Sequence, residues 1–427
     1  ESDSVRNLIF TDISTKETEL YPYYLGLSQD NYHGLVGYGH GGFWGTVMLY
    51  FPAINTAVSV AILERDERAL RRDVLEAVLK VMREQKAQHL NRDEALRGYL
   101  AELTDFSGTV MIAHEGEITA SGAFGLANIE GAIKNKLDTK FNVASISKLI
   151  TAVATLQLWE QGKIDLQAKV GTYLPTYPHQ LVKDSVSVRH LLTHSSGIPP
   201  FYGEDYLKSD KLKYQKVADF VPLFADKELN FSPGTKYQYS GSGFVVLGRI
   251  IESVAGMDYY EYIEKHVFEQ AGMTNSLAIP VDSLVTNKAN GYTCLWGDQD
   301  YLSRNDYYIS KASPAGGHYA TAADLLAFMQ ALRNGRLLKP ATQRLLTTPQ
   351  IKGYNTHLGY GIDVDRRYQE RIVGHSGGWF GVRTEVMDFL ASGYLVVVLS
   401  NLDDDGESGA SRVIDDLKRI IAGSKRT

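Results

Sequence analysis

The sequence places a serine and a lysine one helical turn apart, at the start of an apolar segment that is typical of a helix. Ser145 and Lys148 are separated by three residues, so on a helix their side chains share a face. The serine hydroxyl would lie at the positive end of the helix dipole, and a desolvated lysine gives up its proton more readily. These are the features of an activated serine nucleophile. Taken alone, the pattern equally fits a helix N-cap beside a solvated lysine.

Two further segments carry groups that such a nucleophile needs. Tyr239 lies in a loop rich in glycine and serine, and an adjacent ammonium group would lower its pKa from about 10, so that it acts as a base. His375-Ser376-Gly377-Gly378 stands at the start of a strand-like run. Glycines there let a substrate approach closely, and backbone N–H groups can hold an oxyanion. In isolation, the two segments equally fit a packed tyrosine and a glycine-rich turn.

The other candidate sites are weaker. His190 and His194 are four residues apart, but no glutamate follows His190 as a zinc helix requires, so we expect structural roles for both. The run from Asp403 to Asp405 lacks the alternating ligand spacing of a calcium loop. No Gly-x-x-x-x-Gly-Lys phosphate loop occurs. We therefore expect no metal and no cofactor.

The elements that must position these residues are mixed in type. Strand-like runs at 108–113 and 118–124 flank Glu115-Gly116, which is a hairpin signal. Helices are predicted near 92–103, 145–162, 188–193, 243–254, 259–268 and 322–334, and strands return at 382–399 before a final helix. We predict an α+β fold: one antiparallel sheet built from both ends of the module and covered by helices, plus an all-helical region.

A histidine–glycine motif occurs twice along the chain. His40 follows Gly26, and His375 follows Gly361, by fourteen residues in each case. Each motif is followed by two strand-like runs and an amphipathic helix. Because the glycines, the spacing and the element order all agree, we interpret the two segments as copies of one structural unit.

This repeat predicts two domains: residues 1–88 as a partial repeat of the C-terminal part of the module, and residues 89–427 as the complete module. The first copy has no serine–lysine pair, so it cannot carry out the chemistry by itself. Alternatively, the chain is circularly permuted and 1–88 completes the sheet with 89–350. Chain order and the fuller third motif favour the first arrangement. An unfilled sheet edge also predicts self-association through 1–88.

Composition excludes several classes of protein. The 427 residues carry 44 Lys and Arg against 50 Asp and Glu, a net charge of −6, which argues against a nucleic-acid partner. Apolar runs such as 395–399 are too short to span a membrane. The single Cys294 excludes an internal disulfide. Residues 1–4 lack the features of a signal peptide, so we expect any such signal to have been removed. We expect a periplasmic or extracellular location, with a cytoplasmic location as the alternative.

In their order, the three motifs starting at Ser145, Tyr239 and His375 resemble those of the serine beta-lactamase and penicillin-binding protein family. The chain is most similar to the class C beta-lactamase and DD-peptidase branch, over residues from about 95 to 420. The flanking segments 141–144, 188–198, 231–234, 314–317 and 321–324 also resemble that branch.

The resemblance implies a beta-lactamase/transpeptidase-like fold and an acyl-enzyme mechanism. Ser145 would attack a carbonyl carbon, while Lys148 and the phenolate of Tyr239 would share its proton. Backbone N–H groups of Ser145 and Gly378 would form the oxyanion hole. Water would then release the acyl-enzyme.

One position departs from the family pattern and bears on the substrate. Gly241 stands where the second motif usually ends in asparagine, whose amide holds the acyl side chain, so binding of beta-lactam side chains should weaken. By family position, His375 and Ser376 would face a substrate carboxylate or the leaving group. We expect a serine hydrolase acting on small amides, peptides or esters, in the manner of a DD-peptidase, a D-amino-acid peptidase or a beta-lactamase. The alternatives are a carboxylesterase and a catalytically faded binding or assembly module.

Overall fold

The computed structural model describes residues 23–24, 27–32, 35–41, 46–51, 56–61, 74, 76–79, 92–280, 283–293, 303–403 and 409–423. By contacts the chain divides into two compact units, residues 1–103 and 104–427. The helix Arg92–Ala101 (α1) falls in the first of these units, and the domain boundary at 88/89 stays a prediction. Several positions lie outside the described residues: Gly42, Cys294, Asp404, Asp405 and the segment 83–91 between the two predicted domains.

The first unit contains an antiparallel sheet in which strand order follows chain order. The strands are β1 (Tyr23–Tyr24), β2 (Leu27–Tyr32), β3 (Leu35–Gly41), β4 (Thr46–Phe51) and β5 (Thr56–Ala61). Side chains of β4 alternate between exposed and buried, as expected for a strand with one covered face. Val47, Leu49 and Phe51 pack with Val58 and Val60 in a small apolar core.

The second unit is built on an eight-stranded antiparallel sheet with the order β14-β15-β16-β17-β18-β19-β6-β7. Its strands are β6 (Gly108–His114), β7 (Glu117–Phe124), β14 (Ile351–Lys352), β15 (His357–Leu358), β16 (Asp363–Asp365), β17 (Ile372–Trp379), β18 (Val382–Phe389) and β19 (Tyr394–Ser400). Strand β19 pairs with β6, so that Val397 lies opposite Met111. The sheet therefore joins strands from both ends of the module, which confirms the predicted fold class.

Short strand pairs and helices complete this unit. The small strands are β8 (Leu126–Asn128), β9 (Ile133–Lys134), β10 (Phe141–Asn142), β11 (Tyr292–Thr293), β12 (Ser303–Arg304) and β13 (Tyr319–Ala320). The helices are α2 (Ile146–Glu160), α3 (Val170–Tyr173), α4 (Gln180–Ser185), α5 (Val188–Leu192), α6 (Glu204–Lys208), α7 (Gly241–Ala255), α8 (Tyr259–Ile263), α9 (Glu269–Ala271), α10 (Ala322–Arg333), α11 (Pro340–Leu346) and α12 (Ala410–Ala422). Short 3-10 segments lie at Lys211–Lys213, Val217–Leu223 and Asp306–Tyr308, and a π-helical turn at Glu264–Phe268.

The central strands are covered on both faces. Every residue of β19 is buried, although neighbouring side chains of a strand point to opposite faces. Helices α2, α10 and α12 pack against the central strands. Continuous apolar runs such as that of β19 are what a strand covered on both sides requires. The sheet thus provides a rigid base for the start of α2, where the candidate nucleophile lies.

Local turn chemistry explains two of the predicted boundaries. Glu115 and Gly116 both have positive φ, 50° and 93°, the conformation of the tight hairpin turn between β6 and β7. Gly162 has φ of 71° two residues after α2 ends, which is the usual left-handed termination of a helix.

Candidate active site

Ser145 lies at a sharp turn immediately before helix α2. Its backbone is helical, and its hydroxyl makes no capping hydrogen bond, so the N-cap interpretation does not account for this side chain. The preceding residue, Ala144, has a φ of 43°, which is unfavourable for a residue other than glycine. The side chain of Asn142 supports this turn by accepting a hydrogen bond from the N–H of Ala144 at 2.8 Å. The turn thus holds Ser145 at the helix N-terminus with its hydroxyl available to other groups.

Lys148 directs its ammonium nitrogen at the Ser145 hydroxyl. Nζ lies 3.0 Å from Oγ of Ser145 and also donates to the carbonyl oxygen of Ala315. The residue is completely buried, and this burial lowers the pKa of Lys148 from 10.5 to about 7. Near neutral pH, a large fraction of Lys148 is therefore neutral and able to accept a proton.

Tyr239 completes a contiguous group of three side chains. Its hydroxyl lies beside that of Ser145, and its ring centroid lies 4.8 Å from Nζ of Lys148. Burial raises the pKa of Tyr239 above its ordinary value, and nearby Asp363 raises it further, whereas the bond to Ser145 lowers it. The expectation of a lowered tyrosine pKa is wrong, because desolvation outweighs the other effects. Tyr239 therefore carries its proton at neutral pH.

His194 holds Tyr239 in place. Its Nδ1 accepts a hydrogen bond from the N–H of Ser240 at 3.1 Å, and its ring centroid is 4.5 Å from that of Tyr239. Burial lowers the pKa of His194 well below 6.5, so the imidazole is neutral. Nδ1 of His190 accepts a hydrogen bond from the N–H of Ser187. Both histidines thus use Nδ1 for backbone contacts, and within the described part of the chain no group of three or more His, Cys, Asp or Glu residues is arranged to hold a metal ion.

Strand β17 brings the third motif next to the start of α2. A Cβ on Gly377 would lie 2.4 Å from the carbonyl oxygen of Val143, so the strand and the turn before Ser145 are in close contact there. His375 is buried and donates from Nδ1 to the carbonyl of Ser376 at 2.6 Å. Burial, with the nearby charge of Lys148, lowers the pKa of His375 to about 4. His375 is therefore a neutral residue beside the lysine.

The N–H of Gly378 faces the same cavity as Ser145. The N–H of Ser376 points towards the carboxyl group of Asp363, on the side of β17 away from β18. Residues two apart in a strand direct their N–H groups the same way, so the N–H of Gly378 also points away from β18. Gly378 and Ser145 both line one cavity. These two N–H groups are the candidates for an oxyanion hole.

Asp363 was not identified by the sequence. It lies on β16, beside the third motif, and burial raises its pKa to about 7, with Glu385 acting in the same direction and Lys418 opposing it. No local spacing signals this residue, since β16 and β17 are brought together only by the sheet.

The cavity in front of Ser145 has a volume of about 150 Å³ and a largely aromatic lining. Its aromatic residues are Phe201, Tyr202, Tyr206, Phe220, Tyr239, Tyr308 and Trp379. The candidate nucleophile, the two N–H donors and an apolar pocket are thus contiguous. Such a site can transfer an acyl group to a serine and exclude water from the first step.

Among the described residues, no helix is both long enough and apolar enough to cross a membrane.

Comparison with known proteins identifies the family. A family model described as Beta-lactamase matches residues 93–418. A penicillin-binding protein of Bacillus subtilis is 30% identical over 341 residues, covering 76% of this chain and 74% of the relative. The crystal structure of a penicillin-binding protein from Bacillus halodurans superposes with a TM-score of 0.68 at 29% identity, covering 78% of this chain and 99% of that one. A D-amino acid amidase from Ochrobactrum anthropi has a TM-score of 0.67 at 23% identity, covering 78% and 98%. The resemblance inferred from the motifs is confirmed: the chain belongs to the beta-lactamase family and is a serine hydrolase of the penicillin-binding and beta-lactamase type.

Proposed function

We propose that Ser145 is the nucleophile of an acyl-enzyme hydrolase, with Lys148 as its general base and Tyr239 as the acid that protonates the leaving group. The observation that carries this assignment is the 3.0 Å separation of Lys148 Nζ from Ser145 Oγ, at a completely buried lysine. A base within hydrogen-bonding reach and with a pKa near the working pH is what proton abstraction from a serine requires.

In the acylation step, neutral Lys148 takes the proton of Ser145 as Oγ bonds to the substrate carbonyl carbon. The electron pair of the C=O double bond moves to the oxygen, which accepts hydrogen bonds from the N–H groups of Ser145 and Gly378. Loss of one such donor typically costs about 3–4 kcal/mol in transition-state stabilisation.

The tetrahedral intermediate then breaks its bond to the leaving group. Tyr239 gives its hydroxyl proton to the departing nitrogen or oxygen and recovers a proton from the ammonium of Lys148. Water then enters and attacks the acyl carbon. As it does so, it gives a proton to Tyr239, and Tyr239 passes its own proton to Lys148. Cleavage of the ester bond regenerates the hydroxyl of Ser145 and releases the acid.

Two features support an amide or peptide substrate over an ester. The nitrogen of an amide leaves only when it is protonated, whereas the oxygen leaving group of an ester depends less on an acid. The raised pKa of Tyr239 keeps a proton available for this step. The third motif carries His-Ser-Gly at 375–377, the form that favours peptidases within the family resemblance.

The surroundings of the third motif favour a leaving group with an uncharged end over one that ends in a free carboxylate. His375 is uncharged at neutral pH, and the N–H of Ser376 already faces the carboxyl group of Asp363. A substrate carboxylate placed there would meet a partly ionised acid and no adjacent histidine cation. We therefore place amides of small peptides or amino acids ahead of peptides with a free C-terminus.

A matched pair of substrates tests this proposal. D-Ala-D-Ala peptides with a free and with an amidated C-terminus should be hydrolysed at different rates, with the amide preferred, and Asp363→Asn should narrow the difference. Nitrocefin, p-nitrophenyl esters and D-amino-acid amides complete the panel, and Ser145→Ala is the blank for each. A preference for the free carboxylate, or turnover that survives Ser145→Ala, would contradict the assignment.

We further propose that residues 1–88 are a partial repeat that mediates self-association. Support comes from its sheet, in which β3, β4 and β5 run in the same antiparallel order as β17, β18 and β19. A periplasmic or extracellular location is part of the proposal, supported by the relation to penicillin-binding proteins, and cell fractionation tests it.

A further inference from the structure

The third position of the tyrosine motif has no room for a side chain. A Cβ atom on Gly241 would lie 2.8 Å from Cε2 of Tyr202 and 3.1 Å from Cε1 of Phe201. Ordinary contacts between carbon atoms are about 3.5–4.0 Å. The two rings therefore occupy the space that an asparagine at this position would need, and the glycine is explained by packing.

The loop that carries these rings is bound to the tyrosine motif. The hydroxyl of Ser240 donates to the carbonyl of Ile198 at 2.8 Å, and that of Ser242 donates to the carbonyl of Pro199 at 2.7 Å. Both donors are buried. Tyr202 thus lies in a segment whose position is fixed relative to the catalytic tyrosine, which reduces the entropy lost when a ligand binds.

Trp379 packs beside Tyr202 in the wall of the cavity. Its ring centroid lies 4.9 Å from that of Tyr202, with the ring planes inclined by 45°. The indole N–H donates to the carbonyl of Tyr308 at 2.9 Å, and the hydroxyl of Tyr202 is hydrogen-bonded to Ser313. Both rings are therefore held at their polar ends and present their ring carbons to the cavity.

The cavity has the size and polarity for a single aromatic ring. Its volume of about 150 Å³ equals that of an apolar cavity that accepts benzene. The one ammonium group in its lining, that of Lys311, is hydrogen-bonded to the carbonyl of Gln215 at 3.1 Å. An uncharged planar group therefore fits this space better than an anion.

The position of the cavity identifies which half of the substrate it receives. Ser145, Tyr239 and Gly378 line it, whereas Lys148 and His375 do not. The rings of Phe201 and Tyr202 fill the space of a side chain at position 241, which by the family resemblance holds the acyl side chain of the substrate. The cavity beside these rings is therefore assigned to the acyl part.

We propose that Tyr202 and Trp379 form an acyl-group pocket that selects substrates whose acyl part carries a planar aromatic ring, such as arylacetyl or aromatic aminoacyl compounds. Ring contacts here replace the amide contact that an asparagine at position 241 would supply. This inference rests on the proposed function, because it assigns one side of the same site.

The test compares two acyl groups on one leaving group. We expect kcat/KM for p-nitrophenyl phenylacetate to exceed that for p-nitrophenyl acetate by roughly 30-fold, the order expected for burying one phenyl ring. Tyr202→Ala should reduce this ratio to within about threefold of unity, because one of the two adjacent rings is lost. Tyr202→Phe keeps the ring and should keep the ratio. A ratio near unity in the wild type, or one unchanged by Tyr202→Ala, overturns the proposal.

Sulfonyl fluorides give a second test, because fluoride is the leaving group in all of them and only the group attached to sulfur differs. Phenylmethanesulfonyl fluoride should inactivate the protein faster than methanesulfonyl fluoride, and equal rates would overturn the proposal. Failure of the proposed function looks different: Ser145→Ala would then retain turnover of both esters. If turnover depends on Ser145 but shows no aromatic preference, only the acyl-pocket inference is wrong.

Discussion

Lowering the pH through 7 should switch off the proposed base. Burial lowers the pKa of Lys148 from 10.5 to about 7, and this change corresponds to about 5 kcal/mol of destabilisation of the ammonium form relative to water. At pH 7 about half of the protein then has a neutral Lys148, whereas a pKa of 10.5 would leave only about one molecule in 3,000 neutral. The buried position thus supplies a gain of about three orders of magnitude in available base.

The assay is the pH dependence of kcat/KM for a p-nitrophenyl ester between pH 5 and 9. Because the base must be unprotonated, kcat/KM should fall about tenfold for each pH unit below the midpoint near 7 and reach a plateau above it. His375 does not contribute a second limb, since its pKa of about 4 keeps it neutral throughout this range. Lys148→Arg should reduce kcat/KM by about 10²- to 10⁴-fold at every pH, because a guanidinium group does not deprotonate.

Asp363 is the necessary control, because its pKa is also raised to about 7. If Lys148 is the titrating group, Asp363→Asn should still show the fall in kcat/KM near pH 7. Loss of this fall in that variant would assign the titration to the carboxylate instead. A profile that is flat between pH 5 and 9, or a midpoint above 9, would refute the reasoning about Lys148.

Three further predictions concern the supporting structure. Gly378→Pro removes a candidate oxyanion donor and should lower kcat by about 10²- to 10³-fold. The control, Gly378→Ala, keeps the N–H and places its Cβ where no atom lies within 4 Å, so it should remain active. Equal activity of the two variants would exclude this N–H from the oxyanion hole. Gly377→Ala would place a Cβ 2.4 Å from the carbonyl oxygen of Val143 and should lower the free energy of unfolding by about 1–3 kcal/mol, measured by chemical denaturation against Gly378→Ala. Deletion of residues 1–88 should reduce the assembly to a single chain by light scattering, and an unchanged subunit number would end the self-association proposal.

The elements near the proposed nucleophile could be predicted because their signals are local. The Ser145–Lys148 spacing, the following apolar run and Gly162 lie within one segment, and helix α2 spans Ile146–Glu160 as this pattern indicates. The sheet joining both ends of the module could also be anticipated, since strand-like runs occur at each end and helices lie between them.

The electrostatics of the site could not be predicted in the same way. The pKa of Tyr239 depends on how much water surrounds its hydroxyl, and on Asp363, which is more than a hundred residues away in sequence. The contact between Tyr202 and Gly241 likewise joins two segments whose packing no sequence spacing reports. The sequence therefore indicated the candidate reacting groups, while their protonation states and the shape of the pocket depend on tertiary packing.

The most direct test of the account is the site of covalent modification by a fluorophosphonate probe, read by intact mass and then by peptide mapping. A nucleophile activated by a neutral lysine should take up one probe per chain at Ser145, faster at pH 8 than at pH 6, and Ser145→Ala should take up none. Modification of another residue, or no modification of the wild-type protein, would contradict the assignment of Ser145 as an activated nucleophile.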